Sequence, residues 1–526
     1  MKRILLAAVC LLLATFCSAA SAPATVEQWN VFELTLEGPG SGNPFVDVTL
    51  AAKFTQGERT VTAQGFYDGA GIYKIRFMPE TVGEWRYTTA SNRPELDGKS
   101  GAFTATAATK GNHGPVRVAH TFHFAYADGT PFHEIGTTCY AWVHQTEELQ
   151  EQTLKTLAAA PFNKVRFCIF PKYYDWNHND PLLYPYEGAP NKWDTARFNP
   201  EFFRHFEQRI AQLRDLGIEA DIILFHPYDR GHWGFDRLDA AGNDRYLHYV
   251  VARFAAYRNV WWSLANEFDF ITNKTTADWD RFFQIVQADD PYGHLRSIHN
   301  GARMYDNNKP WVTHASIQNG SAVVDFGRAE IYREVWGKPV VFDEVKYEGN
   351  IPQRFGSLSA EEMTARFWEG TVAGTYVGHG ETYLDPNDVL WWSKGGVLHG
   401  QSPARIAFLR KIMEDGPPTL EPIDKWQDNP FAGVRGRYYL GYLGRQAPTA
   451  WKFELYKGGL TEGMKFRVEL IDTWNMTITP VDDVFTVKKK AFLGDAAANY
   501  AFEDKDGKSV PLPGKPYIAL RIRLVE

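Results

Sequence analysis

The 526-residue sequence predicts a multidomain chain: a central (β/α)₈ barrel of the TIM type, flanked by an N-terminal Ig-like β-sandwich and a small C-terminal β-sandwich. Three observations predict it. The first hundred residues alternate apolar and polar over short segments broken by turns; the middle three hundred repeat apolar run, helical period, apolar run; and the helical period vanishes after Gly416. The length also exceeds what one core of ordinary size fills.

The N-terminus comes first. Lys2 and Arg3 precede the apolar run Ile4 to Phe16, which gives way to small residues at Ser18 to Ala22. That pattern predicts a signal peptide over 1–20 and a secreted or periplasmic protein. Pro23 disfavours a cut after Ala22 and points to Ala19 or Ala20. The apolar run is too short to span a membrane, and Phe16 sits where a bacterial lipoprotein signal before Cys17 wants a small residue, so neither membrane insertion nor a lipid anchor is expected. The formal net charge of −7 becomes more negative once Lys2 and Arg3 are removed, which argues against nucleic acid as a partner. Only Cys139 and Cys168 survive processing; they could be bridged or free, and they cannot make a cysteine metal cluster.

Residues 24–108 contain segments such as Val46 to Leu50 and Tyr73 to Phe77, separated by turns at Asp68-Gly69 and Val82-Gly83. Thr109 to Pro115 is a linker by composition. A hairpin around Asp128-Gly129 opens the barrel domain, 115–415. Its eight strands are read at His133–Trp142, Asn163–Phe170, Glu219–His226, Val260–Glu267, Leu295–Asn300, Val312–Gln318, Pro339–Glu344 and Thr375–Tyr383. Helix signals lie between most of them. Asn199-Pro200 opens a helix with Phe202, Phe206, Ile210 and Leu213 on one face and Gly217 at its end; Ser359 and Glu362 make a capping box; Ser402-Pro403 opens the last. An open doubly wound sheet would want a glycine-rich phosphate loop after the first strand, and Gly136-Thr137-Thr138-Cys139 lacks it. Residues 416–526 return to strands, among them Tyr438 to Leu443 and Ile518 to Leu524.

Side chains at the C-terminal ends of barrel strands meet at one mouth. The fourth strand stops at Asn266-Glu267 and the seventh at Glu344, so two carboxylates converge there. Such a pair suits glycoside hydrolysis, in which one carboxyl protonates the departing oxygen and the other attacks the anomeric carbon or activates water. Aromatic residues make up 15% of the chain, including 17 Trp, whose flat faces suit sugar rings.

On these residues the chain resembles the retaining glycoside hydrolases of clan A, and within them the apiosidase-like barrel proteins with flanking β-domains. The resemblance implies acid/base for Glu267, nucleophile for Glu344 and a bond from Asn266 to the sugar 2-hydroxyl. Arg166 resembles a second-strand arginine that keeps the nucleophile ionised, and His226 a third-strand substrate histidine. His314 lies near a sixth-strand position that contacts the nucleophile. His299, Glu381 and the pair Trp391-Trp392 complete the expected substrate-binding set. Asp343 and Asp269 are not expected to be catalytic, since alternation along the strand turns Asp343 away from the face Glu344 uses. His226, His299 and His314 could be imagined as metal ligands, but no helical His pair supports it, and neither metal nor cofactor is expected. A carbohydrate is the expected partner. A non-catalytic carbohydrate-binding protein and a transglycosylase are the alternatives.

Overall fold

The computed structural model describes residues 24–318, 323–387, 390–423, 430–456, 458–490 and 501–525. The expected signal peptide lies outside them. No helix among the described residues is long and apolar enough to cross a membrane.

Residues Ala24–Thr106 form a seven-stranded unit; Tyr73 to Phe77 lies in a strand as expected, but Val46 to Leu50 does not, since Pro44–Asp47 is a helical turn and the strand starts only at Leu50. Its inward aromatic residues make the core: Phe32 stacks on Phe103 at 3.9 Å and Phe54 on Phe77 at 4.1 Å, with Trp85 fully buried beside them. After the linker, Val116–Ala119, His123–Tyr126 and Pro131–Phe132 form a three-stranded antiparallel sheet around Asp128-Gly129. Its Phe124 and Phe132 pack with Trp261, Leu295, Val341 and Tyr376, plugging the end of the barrel opposite the strand C-termini.

Eight strands then run parallel: Gly136–Thr138, Lys164–Cys168, Glu219–Phe225, Val260–Ala265, Arg296–Ser297, Ala315–Gln318, Val340–Glu344 and Tyr376–His379. The first pairs with both the second and the eighth. The fifth and sixth are joined by a parallel bridge, His299 to Ser316, which closes the ring. Parallel strands covered on both faces read as near-continuous apolar runs, as Glu219–Phe225, Val260–Ala265 and Val340–Glu344 largely do, whereas Gly136–Thr138 and Arg296–Ser297 are short and polar.

The helices also follow their local signals. Asn199 accepts from Glu201 N at the start of Pro200–Asp215, whose Phe202, Phe206, Ile210 and Leu213 are buried. Ser402–Glu414 buries Ile406, Leu409 and Met413. Two local expectations change. Ser359 caps Ala360–Val372, but the Glu362 carboxylate, instead of closing a capping box, pairs with Arg445 of the C-terminal unit. No described helix separates the fifth and sixth strands; the chain crosses there by turns.

The C-terminal unit contains a sheet of eight strands between Glu421–Pro422 and Ile518–Leu524 and its own core around Phe453, Phe466 and Phe485. It docks on the barrel where Tyr442 stacks with Trp368, centroids 5.6 Å apart. The N-terminal unit docks through rings, Phe45 and Phe66 against Tyr249 at 5.7 and 6.2 Å, and through charge. Arg76 reaches across to Glu207 and to the Arg253 carbonyl, while Arg253 bonds Glu207 and Asp68.

Candidate active site

Inside the barrel, alternation sends Lys164 and Arg166 of the second strand, Asp221 of the third and Asp343 of the seventh toward the axis. Lys164 Nζ lies 2.7 Å from Asp343, 3.1 Å from Glu134 and 3.4 Å from Asp221. Against the upward pull of burial, Lys164 and Arg166 hold the Asp343 carboxyl well below the usual carboxylate range. Asp343 is therefore an internal counter-ion, and it points to the barrel axis below the cleft that Glu344 lines; simple alternation, expected to turn the two apart, does not hold at the strand end, where the register shifts and Gln318 pairs with Glu344. Asp269 is likewise occupied, accepting the backbone N–H groups of Gly301, Ala302 and Arg303.

Above this layer, at the strand C-termini, opens a cleft of about 680 Å³ lined by Asn266, Glu267, Glu344, Tyr140, Lys172 and Trp392, among others. Both carboxylates face it and both are largely buried. The backbone turns sharply beneath them: Glu267 adopts φ +48°, and Lys346, two residues past Glu344, φ +68°. A side chain disfavours this region, so the surrounding bonds must hold it. For Glu267 they are Asn266 N to the Phe225 carbonyl and Phe268 N to the His299 carbonyl.

The two glutamates are linked through side chains. The Tyr140 hydroxyl bonds Glu344 Oε1 and lies 3.0 Å from Asn266 Oδ1, while Asn266 Nδ2 donates to Glu267 Oε2 at 3.2 Å. A phenol has one proton, and an ionised Glu344 is its stronger acceptor. Tyr228 also donates to Glu267 Oε2. Two donors thus converge on that oxygen, and the Gln318 side-chain amide donates to Oε1 at 3.1 Å. Burial, then the charge of Glu344, pushes the Glu267 pKa up to about 7, against the opposing pull of Lys172 and Tyr228. The site thus sets a carboxyl that titrates near neutrality beside a second carboxyl group.

The other expected site residues divide. Trp392 lines the cleft, edge-on to Tyr140 and Tyr174. His299 sits just beneath, its Nε2 4.0 Å from Glu344 Oε1, with burial and Arg166 lowering its pKa to about 4. Arg166 has Asp221 and Asp343 as its ion-pair partners, and Glu344 acts on it only at longer range. Four residues stand away from the cleft. His226 spends both ring nitrogens on backbone, the Phe170 carbonyl and Tyr228 N. His314 lies at the plugged end of the barrel, edge-on to Trp261 and Phe124. Glu381 accepts the N–H groups of His399 and Gly400 and anchors that loop. Trp391 is buried with its indole N–H on Thr137. Cys139 and Cys168 are both free and buried.

The sequence reading missed Tyr140, Lys172, Tyr228, Tyr347 and Gln318. Tyr140 and Gln318 lay within predicted strands, near their C-terminal ends, where every polar side chain qualified for inspection.

Three family models match the chain. A domain of unknown function (DUF5060) matches residues 25–92, the apiosidase-like catalytic domain matches 119–442, and a second domain of unknown function (DUF5605) matches 426–523. No curated protein matches the chain. Among solved structures, a Bacteroides vulgatus protein provisionally described as a glycoside hydrolase is 43% identical, with a TM-score of 0.91 over 95% of this chain and 100% of its own. A family 5 glycoside hydrolase from the same organism shares the fold at 15% identity, with a TM-score of 0.58 over 79% of this chain and 94% of its own. The catalytic-domain match covers more than half the sequence and contains every residue of the cleft: the chain belongs to the apiosidase-like family.

Proposed function

We propose that the protein is a retaining glycoside hydrolase. The observation that carries this reading is the pair Glu267 and Glu344 facing one cleft, the first held by Asn266 and Tyr228 with its carboxyl raised toward neutrality, the second receiving the Tyr140 phenol proton. Glu344 attacks the anomeric carbon as the bond to the leaving oxygen breaks, and that oxygen takes the proton from Glu267. Water then attacks the anomeric carbon, gives its proton to Glu267, and the bond to Glu344 breaks. Asn266 faces the space between the carboxylates, where a sugar 2-hydroxyl would lie. Trp392 offers its ring to the apolar face of the sugar. The relatives described as glycoside hydrolases support the reaction class.

The N-terminal pattern supports export, and the flanking β-units are read as an Ig-like sandwich and a smaller sandwich. A panel of 4-nitrophenyl pyranosides and furanosides tests the activity, and NMR of the first-formed product tests retention. A 2-deoxy-2-fluoro glycoside should label Glu344, found by peptide mass. Product of inverted configuration, or label on another residue, would sink the assignment.

A further inference from the structure

Lys172 stands just past the second strand, and its side chain is 2% exposed. Its ammonium lies 3.5 Å from the centroid of Tyr140, 4.2 Å from Tyr228, 4.4 Å from Tyr174 and 5.6 Å from Trp392. Tyr140 and Tyr228 are the phenols that bond Glu344 and Glu267, so the cation is seated beside both. Its backbone is pinned, the carbonyl accepting from Asn177 Nδ2 at 2.7 Å and the next N–H reaching the Tyr228 carbonyl. Among the described residues Nζ makes no hydrogen bond and no ion pair; it lines the cleft.

An ammonium has three donors and no acceptor. Ring faces stabilise its charge but do not satisfy those donors as oxygen does. Lys164, equally buried, has three carboxylates within 3.4 Å, which is how this barrel treats a lysine that only holds structure. Burial draws the Lys172 pKa down while Cys168, Glu267 and Glu344 oppose it, so the residue is costly where it sits. Lys172 lines the cleft in which a sugar would sit.

We propose that Lys172 is a substrate-binding residue, its ammonium donating to a hydroxyl of the sugar held between Glu267 and Glu344. This rests on the glycosidase reading of the cleft. Charge-assisted donation to one hydroxyl is also a specificity device, because a sugar lacking that hydroxyl leaves a buried cation without an acceptor.

The test takes the 4-nitrophenyl glycoside that wild type hydrolyses fastest, with its monodeoxy analogues at each sugar position. Wild type should lose about 100-fold in kcat/KM at one position, and Lys172→Met, folded by near-UV circular dichroism, should lose about 100-fold on the parent and under ~3-fold further at that position. Lys172→Gln, which keeps N–H donors, should restore part of the single-position penalty; it also serves if the Met variant fails to fold. Unchanged kcat/KM, or a loss that only shifts the pH profile while every deoxy penalty persists, overturns the proposal. If wild type cleaves none of the glycosides, the hydrolase reading fails by itself. The same set is then titrated calorimetrically: affinity weakened about 10-fold in Lys172→Met supports the contact, and equal affinity, or no binding by wild type, overturns it.

Discussion

Two groups of buried cations in this molecule are treated in opposite ways. Where the N-terminal unit meets the barrel, Arg76 and Arg253 share Glu207, with Glu33 and Asp68 as further partners. In the cleft, Lys172 is buried as deeply, yet rings surround it and, among the described residues, no carboxylate pairs with it. A buried charge needs compensation. At the interface the chain supplies it, so the charges join two domains. At the cleft the chain leaves part of it to a ligand. The contrast predicts a double dissociation: charge removal at the cleft stops chemistry and spares the fold, and charge removal at the interface does the reverse.

The largest effect belongs to Glu344. Glu344→Gln should lower turnover by about 10⁴-fold or more, ~5.4 kcal/mol of barrier, with a thermal midpoint no lower than wild type. Glu267→Gln should cost about 10³-fold on glycosides with poor leaving groups and much less on those with good ones. The pH profile gives a second readout. Glu267 must be protonated to act, and its raised pKa of about 7 keeps it so up to neutrality. Wild-type kcat/KM should therefore fall as pH rises through about 7, and Glu267→Gln should lack that limb. A variant that keeps the limb would assign it to another group.

The strands and the two glutamates were legible because their signals are local: an apolar run that stops at a carboxylate ends a buried strand wherever the rest of the chain goes. Expected site residues failed where another group reached the side chain first. Glu381 and His226 stand at strand ends as predicted, but backbone groups of neighbouring loops occupy their polar atoms. His314 lies on the sixth run yet before its strand begins, which places it at the plugged end. The aromatic box was only partly legible. Trp392 was expected at the substrate, but Tyr140, Tyr174 and Tyr228 come from three other parts of the barrel, and each alone reads as ordinary core. Lys172 gains its meaning only once they close around it.

Glu207 tests the other half of the contrast. Glu207→Ala removes the carboxylate that two guanidinium groups share at 2.5 to 2.6 Å, leaving Arg76 only Glu33 and Arg253 only Asp68 as ion-pair partners among the described residues, and should destabilise the protein by up to about 3–5 kcal/mol while leaving kcat/KM at 25 °C unchanged. Calorimetry of the variant checks it. The sign with pH follows from the native carboxyl. Burial raises its pKa, but Arg76 and Arg253 more than offset that and hold it below its ordinary value. Its stabilisation is thus full above the unfolded pKa of about 4.3 and lost as pH falls through the native one. Glu207→Ala should lose part of the acid sensitivity of the wild-type midpoint, and an equally acid-sensitive variant would place that sensitivity elsewhere.

The smallest expected effect separates the box from the bonds it carries. Tyr140→Phe keeps the ring beneath Lys172 and removes only the hydroxyl that bonds Glu344 and faces Asn266. A hydrogen bond to a charged group contributes about 1.5–3 kcal/mol, so kcat should fall by roughly 10- to 100-fold. Because the ring still walls the ammonium, the deoxy-sugar penalty assigned to Lys172 should survive in Tyr140→Phe. Loss of that penalty along with kcat would mean that the hydroxyl, rather than the aromatic face, positions the cation, and the distinction between a charge held by rings and a charge held by hydrogen bonds would have to be drawn at Tyr140 instead.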